Sequence, residues 1–109
     1  MAIPHALPGQ VIDVRPLGPA FAEARTSALF KADGLEVLRL VIPRGKEIPT
    51  HSARGTITVH CLEGQVDFTI GDETQELHAG HLLYVPAGQP HSLRGVDDAT
   101  VLVTLAVPA

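Results

Sequence analysis

Short apolar stretches alternate with turn residues along most of the chain. The run "QVDFTI" (65–70) is the clearest, because Val66, Phe68 and Ile70 alternate with polar neighbours, as in a strand with one buried face. Similar runs, bounded by glycine, proline or aspartate, are "LEVLRLVI" (35–42), "TITVHCL" (56–62) and "ATVLVTLAV" (99–107). The whole pattern predicts roughly ten short strands with closely spaced turns, which is typical of an all-β sandwich or barrel.

The first thirty or so residues carry weaker signals. "QVIDV" (10–14) predicts an edge strand, and "TSALFKA" (26–32) predicts a second strand that ends at a tight turn. Only "FAEARTSALF" (21–30) is rich in helix-forming residues, and its second half fits a strand equally well. Residues 1–10 are proline-rich, and we interpret them as an extended arm that is either loose or packed on a neighbouring subunit.

Composition limits the class of protein. A chain of 109 residues is long enough for one domain (1–109) with its own core, and that core must be mainly aliphatic because the chain has three Phe, one Tyr and no Trp. The net charge is −4 and no Lys/Arg cluster occurs, so we expect no nucleic-acid partner. The single cysteine, Cys61, excludes an internal disulfide and a multi-cysteine zinc site. No signal-peptide pattern or membrane-spanning run is visible, so we expect a cytoplasmic protein without membrane contact.

The stretch "GHLLYVPAGQPHSL" (80–93) joins an apolar strand to a stiff loop. Gly88 can adopt a positive φ, which other residues resist. Pro86 and Pro90 fix φ near −65° and remove backbone donors. A rigid turn of this kind aims the next side chain, His91, from the start of the following strand.

This stretch resembles the second conserved motif of the cupin superfamily, in which Gly, Pro, Gly and His stand at fixed spacings. Gly80, Pro86, Gly88 and His91 match those spacings, and only the terminal Asn is replaced, by Gly95. The first cupin motif is matched less completely. Its positions correspond here to Gly45, His51, Ala53, Ile57 and Gly64, so that Ala and Ile replace two of the usual metal ligands.

The resemblance implies a small jelly-roll β-barrel of two antiparallel sheets, with the cupin barrel over 35–107. It also implies that His51 and His91 lie on adjacent strands and face the barrel interior. Such domains commonly pair into homodimers, and the last predicted strand (99–107) and the N-terminal arm (1–10) are candidates for that contact. A divalent ion (Fe, Mn, Ni or Zn) would use His51 and His91 as ligands.

His60 and Tyr84 are further candidates for the pocket. Simple alternation places His60 on the face opposite Ile57 and Cys61, so His60 becomes a third metal ligand only if a bulge reverses that order. Cys61 faces inward by the same count, where a buried thiol usually behaves as a small apolar group. Tyr84 can donate to a ligand, or it packs in the core or at an interface.

Three functions remain open from the sequence. The first is a cupin that binds a divalent metal, a small organic molecule or both, with metal-dependent oxygenase or isomerase chemistry implied by the family if it is an enzyme. The second is a metal-free, non-enzymatic binding or sensor module with a degenerate metal site, whose two imidazoles orient a small carboxylate or carbonyl compound. The third is a structural or accessory protein.

Overall fold

The strands predicted from the apolar runs form two antiparallel sheets. The structure is a computed structural model, and it describes residues 5–108. Within that range a 3-10 helix occupies Gly18–Glu23. The nine strands are β1 (Ser27–Ala32), β2 (Leu35–Ile42), β3 (Glu47–His51), β4 (Ile57–Glu63), β5 (Gln65–Ile70), β6 (Glu73–His78), β7 (Leu82–Val85), β8 (His91–Gly95) and β9 (Ala99–Ala106).

One sheet has five strands in the order β1-β2-β9-β4-β7, and the other has four in the order β3-β8-β5-β6. All pairings are antiparallel. Alternate side chains point between the sheets and form an aliphatic core around Phe68, the largest fully buried side chain. The all-β class and the two-sheet jelly-roll architecture are thereby confirmed.

The N-terminal segment departs from its predicted structure. Residues 10–14 do not form a strand, although Ile12 and Val14 turn toward the protein while Val11 is exposed. The side chains of this segment therefore alternate between half-buried and exposed positions although no strand pairs with it, so an alternating pattern alone does not produce a hydrogen-bonded strand. The helix formers of 21–30 divide between the end of the 3-10 helix and β1. The predicted arm lies partly outside the described residues, which begin at position 5.

Hydrogen bonds fasten this N-terminal segment to the outer face of the five-stranded sheet. The Glu63 carboxylate accepts from the backbone N–H of Leu17 and of Gly18, and the Arg39 guanidinium donates to the carbonyl of Arg15. The segment thus covers the β2 side of that sheet. Within residues 5–108, no helix has the length and apolar character needed to span a membrane.

Candidate functional site

A β-bulge in β3 brings the first histidine into the interior. Ile48 pairs with Leu93 and His51 pairs with His91, so three residue steps on β3 match two on β8. Without the extra residue, alternation would turn His51 to the outer face, because Ile48 already faces inward. Pro49 lies within this irregularity, where its missing N–H breaks no ladder hydrogen bond.

The proline loop before β8 positions the second histidine. Gly88 has φ of 79°, a backbone conformation that favours glycine. Its N–H donates to the carbonyl of Ala53 at 2.8 Å, and the Gln89 N–H donates to the carbonyl of Pro86 at 3.2 Å. The loop that precedes His91 is therefore tied directly to the segment that follows His51.

The two imidazole rings meet, as the family resemblance implied. The ring centroids of His51 and His91 are 4.4 Å apart, with an interplanar angle of 62°. The His91 ring also stacks on Phe68, at 5.5 Å and 14°. His91 is 4% exposed, whereas His51 is exposed. His91 therefore lies at the inner end of the site and His51 at its mouth.

Backbone carbonyls fix the tautomer of both rings. The Nδ1 atom of His51 is 2.9 Å from the carbonyl oxygen of Pro49, and that of His91 is 2.9 Å from the carbonyl oxygen of Gln89. A carbonyl oxygen only accepts, so each Nδ1 must carry the hydrogen that it donates. In the neutral ring the lone pair then resides on Nε2. Both histidines thus present Nε2 as an acceptor or a metal ligand, and imidazoles that bind metals usually have their other ring nitrogen held by a carbonyl or carboxylate in this way.

The pair opens into a pocket of about 140 Å³ between the sheets. Apart from the two histidines, its walls are apolar, and among the described residues none that lines it is charged. The apolar lining residues are Leu38, Leu40, Ile48, Ile57, Val59, Phe68, Leu93 and Val103. A larger depression of about 440 Å³ lies on the outer face of the four-stranded sheet, where alternate polar side chains such as Asp67 and Arg94 point to solvent, and neither histidine lines it.

The structure does not bring His60 or Tyr84 into the pocket. His60 pairs with Leu82 and Thr58 pairs with Tyr84, in regular register between β4 and β7. Directly opposed residues share a face, so His60 and Tyr84 both lie on the outer side of the five-stranded sheet. Tyr84 is 69% exposed. The irregularity that β4 does contain, in its pairing with β9, comes after Cys61 and leaves His60 outside.

The other candidate metal ligands are also separate from the pair. Cys61 is buried in the core, where its Sγ donates to the carbonyl of Glu63, and burial raises the pKa of its thiol. His78 and His81 lie at the turn after β6, where His81 Nδ1 accepts from the His78 N–H. Residues 5–108 contain no group of three or more His, Cys, Asp or Glu side chains placed to hold a metal ion.

Parts of the site that the sequence analysis did not identify are the stacking face of Phe68 and the carbonyls of Pro49 and Gln89. Alternation in "QVDFTI" predicted that Phe68 faces inward, but not that it lies under His91. Each carbonyl belongs to the residue two positions before its histidine, beside or within a proline-containing turn. This spacing, together with a neighbouring proline, is the signal that could have indicated the two hydrogen bonds.

Comparisons with known proteins agree with this fold. Three solved structures are similar to the chain over nearly its whole length. The first is a conserved protein of unknown function from Streptococcus pyogenes, with a TM-score of 0.76 and 24% identity over 100% of this chain and 96% of that chain. The second is a cupin superfamily protein from Desulfitobacterium hafniense, with a TM-score of 0.76 and 23% identity over 90% of this chain and 95% of that chain. The third is an RmlC-like cupin from Desulfovibrio desulfuricans, with a TM-score of 0.70 and 27% identity over 97% of each chain. The first two likenesses show the fold alone. No curated protein matches the sequence.

The family model of the cupin domain matches residues 38–108, which is well over half of the chain. That range contains β3 and β8, which carry the two pocket histidines, and every apolar residue that lines the pocket. The inward-facing histidines and the two-sheet barrel are the features that the motif resemblance implied. The chain therefore belongs to the cupin superfamily.

Proposed function

We propose that this protein binds a small, mostly apolar molecule inside the barrel, with His51 and His91 holding its polar end. The observation that carries the proposal is the composition of the pocket, in which two imidazoles are the polar side chains in an otherwise apolar wall. Ligand sites typically combine an apolar lining with a few placed polar groups that fix orientation. The volume of about 140 Å³ is small for such sites, which favours a compact ligand.

A divalent ion on His51 and His91 is the second candidate. The free Nε2 atoms favour it, because imidazole is a common ligand for Zn, Ni and Fe, and because each ring is already oriented by a carbonyl. The donor set is incomplete for a resident metal, since catalytic zinc sites usually have three protein ligands. Ala53 and Ile57 occupy the positions where the family carries further ligands. Water or the ligand itself would have to supply the remaining donors.

We assign the site a binding role and no reaction. The pocket offers no general acid or base other than the two imidazoles, and the choice between an enzyme and a sensor module depends on the ligand. The predicted homodimer and cytoplasmic location stay predictions.

Binding is tested by two-dimensional amide NMR of untagged protein, titrated with a library of small one-ring and aliphatic compounds and, separately, with Zn²⁺, Mn²⁺, Ni²⁺ and Fe²⁺. We expect saturable shifts at residues around the pocket, and their loss in the His51→Phe, His91→Phe double variant. His60→Phe is the matched control, because it removes an imidazole on the outer face. Shifts confined to the outer face, or unchanged in the double variant, would contradict the proposal.

A further inference from the structure

We infer that the ligand class is a single neutral ring that carries one or two hydroxyl groups, as in phenol or catechol. This inference rests on the proposed function and specifies the chemistry of the same pocket. It comes from three observations: the direction of the hydrogen bonds that the histidines offer, the absence of charge in the wall, and the volume.

The hydrogen-bond direction selects a donor. Because both Nδ1 atoms donate to their own backbone carbonyls, the nitrogen that each histidine leaves for a ligand is Nε2, which in a neutral ring is an acceptor. A carbonyl or carboxylate oxygen is itself an acceptor, so it faces His51 and His91 without a hydrogen between them. A hydroxyl group supplies that hydrogen. The ligand class therefore shifts from the small carboxylate or carbonyl compound suggested by the sequence to a hydroxyl donor.

The wall disfavours an anion for a separate reason. No Lys or Arg is among the residues that line the pocket, and its exposed surface is almost wholly apolar. A carboxylate moved from water into such a site loses its hydration and gains no charged partner, which is strongly unfavourable. A neutral phenol loses much less solvation and recovers a hydrogen bond at Nε2.

The volume matches one six-membered ring. A dry apolar cavity of about 150 Å³ in another protein is large enough for benzene, and the pocket here is about 140 Å³. The nearly parallel rings of Phe68 and His91 both line the pocket, so aromatic surface is available to contact a planar ligand. The His51 and His91 ring centroids are only 4.4 Å apart, so we expect two adjacent hydroxyl groups on one ligand ring to donate one hydrogen bond to each histidine.

The test is a calorimetric titration of the untagged protein with four compounds of similar size: benzene, phenol, catechol and benzoate. All titrations contain EDTA, which removes adventitious metal ions, and are made at one mildly alkaline pH. We expect phenol to bind about threefold to tenfold more tightly than benzene for one net hydrogen bond, and catechol to exceed phenol by a similar factor. Benzoate should bind at least about tenfold more weakly than phenol.

Histidine variants distinguish the contribution of the hydrogen bonds from the contribution of the apolar cavity to binding. In His51→Phe and in His91→Phe the advantage of catechol over phenol should disappear, because one histidine is left, and in the double variant the preference for phenol over benzene should disappear while benzene still binds. His60→Phe should keep the preference. His51 is exposed, so its variant remains informative if the buried His91 position does not tolerate phenylalanine, and the melting temperature of each variant verifies folding.

The outcomes separate this inference from the proposed function. If benzoate binds as tightly as phenol, or if phenol binds no better than benzene, the assignment of a hydroxyl donor is wrong although the pocket still binds small molecules. Tight benzoate binding in a separate titration with Zn²⁺ in place of EDTA would likewise overturn it in favour of a metal-bridged ligand. If none of the four compounds binds and the library and ions give no pocket shifts, the proposed function fails as well.

Discussion

Replacing Glu63 by alanine tests how the N-terminal segment is held on the barrel. One carboxylate oxygen accepts from the Leu17 N–H at 2.8 Å and from the Thr100 hydroxyl at 3.0 Å, and the other accepts from the Gly18 N–H at 3.3 Å. Thr100 is fully buried, so its hydroxyl cannot turn to water when the carboxylate is removed. A buried donor left unpaired costs about 1–3 kcal/mol. The two backbone donors open the 3-10 helix, and loss of such a cap costs about 0.5–2 kcal/mol.

We therefore expect Glu63→Ala to lower the free energy of unfolding by about 2–4 kcal/mol, a large share of the stability of a domain this size, typically about 5–15 kcal/mol. Urea unfolding followed by circular dichroism measures the loss as a shift in midpoint at unchanged slope. In a Thr100→Val background the same change should cost less, because no hydroxyl is then left unpaired. Glu73→Ala, at an exposed strand position, is the control. If Glu63→Ala and Glu73→Ala differ by less than about 0.5 kcal/mol, the anchoring argument is refuted.

Three further predictions concern the site and the core. Gly88→Ala should lower the free energy of unfolding by about 1–2 kcal/mol through the positive φ alone, since the added Cβ would meet no atom within 4 Å. Gly45 also has a positive φ and open space, so Gly45→Ala should lower the stability measured by thermal unfolding by the same amount. Only Gly88→Ala should also weaken binding in the pocket. Ile57→His places a third imidazole in the pocket wall and should increase the Zn²⁺ affinity measured by calorimetry; no increase would contradict the inward direction of the two pocket histidines. Burial raises the pKa of the Cys61 thiol, so the unfolded chain releases this proton first as pH rises past about 8.5. The contribution of the protonated thiol to the free energy of unfolding is complete below that pH and is lost as pH rises through the folded pKa. In urea titrations at alkaline pH, the free energy of unfolding should therefore fall less for Cys61→Ala than for the unchanged protein.

The sequence predicts the regular strands well, because their burial pattern follows the alternation of the chain. The bounds of β2 and β5 coincide with the apolar runs 35–42 and 65–70. The strand predicted over 10–14 is absent, because a ladder needs a partner strand and alternation does not provide one. Periodicity is thus a sound guide only where both sides of a pairing are present.

The candidate site was predictable only in part. The motif spacing indicated that His51 and His91 converge, but alternation from Ile48 alone would have turned His51 outward. The bulge at Pro49 that reverses this depends on the register between β3 and β8, which is a tertiary property. For His60 the same simple alternation gave the correct face, because β4 and β7 are in regular register there. The difference between the two histidines is therefore one inserted residue in one strand.

The origin of the pocket walls has a consequence for how such a protein can diversify. Both imidazoles and their stacking partner Phe68 belong to the four-stranded sheet, whereas Leu38, Ile57 and Val103 on the opposite wall belong to the five-stranded sheet. Trimming or enlarging the aliphatic wall can alter which shapes are accommodated while the recognition chemistry stays in place. Under the proposed binding function, selectivity for functional group would therefore depend on the four-stranded sheet, and selectivity for size would be adjustable in large part through the other sheet.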